Sequence, residues 1–368
     1  MHFIGLYSHE NDTIWKKTQA YILYFLCIIP MPVLGILYLL YGKEIDLERM
    51  YDNAFLLADM TCYITKLLPF IKNSDKLKIC LKALKSPHFA VLNREEMAII
   101  TECTKICKRN STIFFIVVLG GISVWATKPL FWNHYNLPID IWIPFTMTTG
   151  SLLNCSIYLF LVIGAFYASF ANAAIDPLVG GLAYLAAGQF KILKHNLQNL
   201  RTHDPGHSTL YKQIIKCINR HNAILRQEKF NLLFTQEYEN FFSSVVFSQF
   251  MGSIFVICLS CLQLTKLEPL TLNFFIMVNY LCILLVQVYF YCYYGTTLYE
   301  ESSTLTNAIG MGNWYLYDLK SRKALLVLME RTKRPVIITA GKILDLSLVT
   351  FTTILRRSYS LLTVLKNY

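Results

Sequence analysis

Long stretches of this chain carry no charge at all, and short basic stretches separate them. Uncharged runs occupy residues 18–41, 112–127, 145–174, 241–264 and 270–294. Each meets or approaches the roughly 20 residues that take an α-helix across a bilayer core. Two further runs are less pure: residues 54–71 include Asp59 and Lys66, and residues 337–365 include Lys342, Asp345, Arg356 and Arg357. Ionisable side chains inside spans are costly, so these two are where function concentrates. The pattern predicts an all-α, polytopic membrane protein with seven transmembrane helices and a cytoplasmic amino terminus. Between the spans, Leu193, Leu197 and Leu200, and then Ile214, Cys217, Ile218, Ile224 and Leu225, fall at helical spacing. They predict helices over 186–200 and 210–233, with a loop at 201–208 around Asp204-Pro205-Gly206. The expected organisation is therefore a cytoplasmic amino terminus (1–17), spans one to four (18–185), a cytoplasmic helical linker (186–236), spans five and six (237–297), a cytoplasmic anchor segment (298–336), and a seventh span with a short outer end (337–368). A helical layer of this kind, lying in water, is suited to subunit contact.

Composition agrees: 55% of the 368 residues are hydrophobic, 15% are charged, and mean hydropathy is +0.42. The net charge of +11 is distributed as basic residues are beside spans, not as a nucleic-acid surface. The first linker set (1–17, 72–109, 191–229 and 320–334) holds 25 of the 34 Lys and Arg, whereas the opposite set holds only Lys43, Arg49, Lys128 and Lys266. The positive-inside rule then puts the amino terminus inside and the carboxyl terminus outside, the inverse of a G-protein-coupled receptor. The third span also ends in Lys128-Pro129-Leu130, without an acidic-Arg-aromatic triplet. The sequons at Asn11 and Asn110 would face the cytoplasm. Residues 1–17 are polar and the first apolar run is a full span, so no cleavable signal is expected. The cysteines fall in spans or basic linkers, so no extracellular disulfide framework is expected. Cys103 and Cys107 lack further ligands at useful spacing, as do His195, His203, His207 and His221, so no metal is expected. Neither a nucleophile elbow nor a phosphate-binding loop is present; the reading is of a non-enzyme without a cofactor. No internal repeat supports a transporter.

The seventh span has a polar stripe. Stepping by three and four places Asp345, Val349, Thr352, Arg356, Ser360, Thr363 and Asn367 on one face. Such a stripe is expected to line water or another subunit; the alternative is local pairing of Asp345 with Lys342 and backward hydroxyl bonds.

From span six onward the chain carries Tyr294-Gly295, Glu301-Ser302, Ala308, Trp314-Tyr315, Arg322-Lys323-Ala324-Leu325, Arg334-Pro335, Gly341, Thr350-Phe351 and Ser358-Tyr359-Ser360. With Asp176, His221 and Gln249-Phe250 further back, this resembles the insect odorant receptors. The loop of eight residues between spans four and five resembles a ligand-tuning subunit and not the co-receptor Orco, whose loop is much longer. The related gustatory receptors usually end on Thr-Tyr followed by Gln-Phe, which this chain lacks. The resemblance implies a tetramer shared with Orco in the plasma membrane of olfactory neurons, gated by a small volatile odorant. Each seventh helix would line one non-selective cation pore, here through Thr352, Arg356, Ser360, Thr363 and Asn367. The family's outer apolar gate falls on Thr363 and Asn367, which are polar here. A ring of Arg356 would oppose cations unless diluted by Orco or placed in a wide vestibule.

An odorant site should be a small apolar cavity with few polar anchors. In span three Val118, Gly121 and Trp125 share one face, with Gly121 leaving room and Trp125 forming a wall; the similar family positions line the odorant pocket. The Gly120-Gly121 pair alternatively serves close helix packing. Facing walls are expected from Phe55, Asp59, Asn154, Tyr158, Phe275 and Val278.

Overall fold

The computed structural model describes residues 14–41, 47–72, 74–84, 87–91, 93–131, 137–143, 152–200, 207–225 and 234–366. Among the described residues, the regular elements are helices apart from one short hairpin. The first span is α1 (Ile14–Leu23) and α2 (Pro30–Tyr41), joined by a π-helical turn at Tyr24–Ile28. Pro30 and Pro32 lack amide donors, so the ladder must rearrange just before them. The second span, α3 (Leu47–Lys72), is followed by α4 (Ser74–Leu84). The third, α5 (Arg94–Phe131), starts 18 residues before the uncharged run, so its basic first half projects beyond the apolar slab. The fourth, α6 (Leu152–Gln198), is a single 47-residue helix that absorbs the linker helix expected after it. A separate helix α7 (His207–Leu225) follows; the expected turn at Asp204-Pro205-Gly206 and residues 226–233 lie outside the described residues. The fifth and sixth spans are α8 (Phe234–Lys266) and α9 (Leu272–Ser303). Among the described residues, six helices are long and apolar enough to cross a membrane.

The far ends of α5 and α6 pack with α7, α10 (Leu305–Gly310) and α11 (Leu319–Thr332) into a layer at one end of the bundle. Its joints are polar. Glu96 accepts from Asn196 at 2.8 Å and pairs with the buried Arg220 at 3.3 Å, while Arg220 also donates to the Ala90 carbonyl. His195 meets Glu95 at 2.8 Å, and Arg331 donates to Asn222 at 2.9 Å. Burial pushes the His221 imidazole down to about 4, with Arg331 adding to the effect, so it is neutral at physiological pH. The Asn110 sequon lies inside α5, where the Asn110 amide donates to the Tyr294 hydroxyl at 3.0 Å.

The seventh span is shorter than the sequence suggests. Residues 337–347 are not helical: β1 (Thr339–Ala340) and β2 (Leu344–Asp345) form an antiparallel hairpin, and α12 begins only at Leu348 and ends at Lys366. Gly341 and Lys342 sit at φ +62° and +59°, a left-handed pair that stops any helix there. Asp345 is therefore on a strand and does not belong to the helical stripe. The hairpin is seated between α8 and α9. The Gly341 amide donates to the Ser243 carbonyl at 3.0 Å, Thr339 bonds Glu239, and Leu346 lies against Gly295 so closely that a Cβ there would meet the Leu346 Cβ at 2.5 Å. Three residues of the carboxyl-terminal motif are explained by this joint: Gly295 and Gly341 admit it, and Ser302 accepts from the Val336 amide at 2.9 Å. From it, α12 runs along α8 and α9, burying Ile354 and Ser358.

Candidate functional site

Helices α3, α5, α6 and α9 line a cavity of about 140 Å³. The extended segment 137–143 adds a wall: Ile139 lines the cavity, and the Trp142 amide donates to the Leu34 carbonyl of α2 at 3.0 Å. Of the nine residues expected to bind ligand, Phe55, Asp59, Val118, Gly121 and Trp125 line this one space. The Phe55 ring meets that of Tyr280 edge-on, with centroids 5.4 Å apart. Gly121 belongs to both of its readings: it borders the cavity, and a Cβ on it would stand 2.5 Å from the Asn279 amide nitrogen on α9.

The other four are not in the wall. Phe275 is 54% exposed, and Val278 lies beside it on a face of α9 turned away from the cavity. The cavity face is Ile276, Met277, Asn279, Tyr280, Ile283, Leu284 and Gln287. Tyr158 donates its hydroxyl to the Ala126 carbonyl, which holds the ring across the end of α5. Asn154, one turn earlier, lies at the same outer end of α6, beyond the Ala165–Asp176 stretch that reaches the cavity. Lipid-facing and core-facing positions are equally apolar in these helices, so hydrophobic pattern does not fix their rotation.

Among the lining residues not anticipated, six are polar. Ser169, Asn172 and Asp176 of α6 and Asn279, Tyr280 and Gln287 of α9 all border the cavity. Behind its floor lies a buried network: Lys66 pairs with Asp176 and donates to Asn172 Oδ1 at 2.6 Å, and Gln287 and Tyr291 both donate to Asp176. Lys66 and Asp176 side chains are each 1% exposed. This neutralised pair ties together α3, α6 and α9. Polar residues four apart in an otherwise uncharged run, such as Asn172 and Asp176, were the available signal.

On α12, Thr352, Arg356, Ser360 and Thr363 are all exposed, as is Val349. Asn367 lies outside the described residues. The hydroxyls of Thr352, Thr353 and Thr363 donate backward to their own helix, while the face they stand on is exposed.

The profile of the family described as "7tm Odorant receptor" matches residues 46–359. Odorant receptor Or1 of Anopheles gambiae is 24% identical over 100% of this chain and 93% of its own length. Odorant receptor 94a of Drosophila melanogaster is 22% identical over 100% and 95%. In three dimensions the chain is similar to the insect olfactory receptor OR5 from Machilis hrabei, at a TM-score of 0.81 and 17% identity, covering 97% of this chain and 91% of that one. The complex of that receptor with eugenol gives a TM-score of 0.81 at 16% identity, covering 100% and 97%. With the match running over most of its length, the chain belongs to the insect odorant receptor family, multi-pass membrane proteins that act as odorant-gated channels and not as enzymes.

Proposed function

We propose that this chain is the odorant-binding, ligand-tuning subunit of a heterotetrameric non-selective cation channel shared with the co-receptor Orco in the dendritic membrane of olfactory neurons. The cavity between α3, α5, α6 and α9 is the observation that carries the reading. Small size, apolar walls and a few convergent polar groups are what a volatile ligand requires. The basic layer at one end of the bundle faces the cytoplasm on the positive-inside rule, which puts the end of α12 outside. Met311, Leu316, Leu319 and Val327 of the anchor segment are 73%, 68%, 62% and 57% exposed; such a patch in water favours contact with neighbouring subunits. The outward stripe Thr352, Arg356, Ser360 and Thr363 lines the shared pore.

Co-expression with Orco in oocytes tests this. Odorant-evoked current is expected, and Trp125→Ala should shift odorant sensitivity while current evoked by a co-receptor agonist is unchanged; equal loss of both would reduce Trp125 to a folding role. Cysteines at Ser360 and Thr363 should react with a charged thiol reagent and change conductance or cation preference, since a charge in a narrow pore is poorly screened. Labelling without any change in permeation would remove α12 from the pore.

A further inference from the structure

The cavity wall has two carboxylates, Asp59 and Asp176, and they stand in opposite situations. Asp176 is saturated: Lys66 and Tyr291 engage Oδ1 and Gln287 engages Oδ2. Asp59 forms no ion pair among the described residues. The nearest base on α3 is Lys66, two turns deeper, and Asp176 and Asn172 already hold it. With Lys66 committed to Asp176, Asp59 has no cationic partner of its own among the described residues. Beside Asp59 lies Tyr280, whose buried hydroxyl is directed at the Asp59 carboxylate and is thereby taken up. The remaining wall is largely apolar, with Val118, Trp125, Ile139, Met277 and Ile283.

A carboxylate with no cationic partner and one neighbouring hydroxyl keeps acceptor capacity unfilled, which is unfavourable against apolar walls. An ionised carboxylate can only accept, so a ligand that relieves it must bring an O–H or N–H. The volume sets the rest: about 140 Å³ compares with the roughly 150 Å³ of a cavity that holds one benzene molecule. We propose that Asp59, with Tyr280 beside it, makes this cavity selective for small odorants with one hydrogen-bond donor on a benzene-sized body: hydroxyl compounds or primary amines, and not their ethers, aldehydes or parent hydrocarbons. This inference rests on reading the cavity as the odorant site. Sites built around a hydrogen bond discriminate far more sharply against analogues that lack it than apolar pockets discriminate by size.

The test uses the co-expressed channel and two matched sets, one on a benzene ring and one on a six-carbon chain, each containing the alcohol, primary amine, methyl ether, aldehyde and hydrocarbon. In each set the alcohol or the amine should be at least tenfold more potent than the ether and the hydrocarbon. Asp59→Asn should cut that preference to about threefold or less, Tyr280→Phe should reduce it in part, and surface biotinylation should show normal delivery. If Asp59→Ala fails to reach the surface, the Asn variant carries the test. An amine that outranks the alcohol and collapses in Asp59→Asn identifies the ligand as cationic; an alcohol that leads identifies it as neutral. An ether, aldehyde or hydrocarbon that matches the donor compounds in the wild type overturns the proposal, as does silence toward both sets. Trp125→Ala separates the two levels. If it shifts every active ligand while Asp59→Asn changes no ranking, only the donor preference fails; if neither variant moves any ligand, the cavity is not the odorant site.

Discussion

The two ends of α9 behave as different materials. At one end Met277, Tyr280 and Ile283 border empty space, and the close approach at Gly121 is to the amide tip of Asn279. About 24 Å beyond Asn279 along the helix axis, at 1.5 Å per residue, Gly295 is pressed against the backbone and Cβ of Leu346. A side-chain tip can rotate away, whereas hairpin backbone pinned to α8 cannot. One helix thus joins a deformable site to a rigid joint, and the buried Lys66–Asp176–Tyr291 network lies between them. A ligand that shifts α9 at the cavity has a stiff connection to the hairpin and the start of α12.

The largest effect should come from the rigid end. Gly295→Leu is expected to abolish surface delivery of the subunit and every odorant current, measured by biotinylation and oocyte recording; normal currents would show the joint to be as soft as the cavity. Next comes the network between the ends. Removing one partner of a buried pair costs about 3 to 5 kcal/mol, so Lys66→Met should lower the yield of monodisperse detergent-solubilised protein severalfold. The double variant Lys66→Met, Asp176→Asn should recover much of it, because the amide oxygen of the introduced asparagine would still accept from Tyr291; equal loss in both would mean that charge pairing is not what holds the three helices. The smallest effect belongs to the soft end. Gly121→Leu is expected to leave delivery within about twofold while raising half-maximal concentrations for larger odorants first, since the added side chain fills volume and displaces only the Asn279 tip. Uniform loss across ligand sizes would make Gly121 a packing residue of the same kind as Gly295.

Sequence carried the fold well where lipid imposes a strict rule. Five uncharged runs and the run carrying Asp59 and Lys66 marked six helices, and α12, with Arg356 and Arg357 in mid-helix, is less apolar. It carried less where both alternatives are apolar. Ile337, Ile338, Leu344 and Leu346 read as the start of a span, although Pro335 and Gly341 were already there to interrupt it. In the site, the span-three face of Val118, Gly121 and Trp125 was legible because a glycine and a tryptophan at helical spacing stand out. The α9 wall was not: Phe275 faces outward and Met277, two residues on, is 3% exposed, and nothing in the hydrophobic pattern separates them.

The buried ion pair also sets a condition on biosynthesis. Lys66 and Asp176 are 110 residues apart, and chains grow at roughly 5 to 20 residues per second. The second span therefore emerges with its lysine on the order of 5 to 20 s before its counter-ion exists. A lysine at mid-helix costs about 2.5 to 3.5 kcal/mol on insertion scales, so during that interval α3 is poorly suited to lie in lipid alone. The helix must wait at the insertion machinery, or lean toward the interface by its long side chain, until α6 arrives. Helix order in the finished bundle is thus also an order in time, with the fourth span completing the membrane fitness of the second.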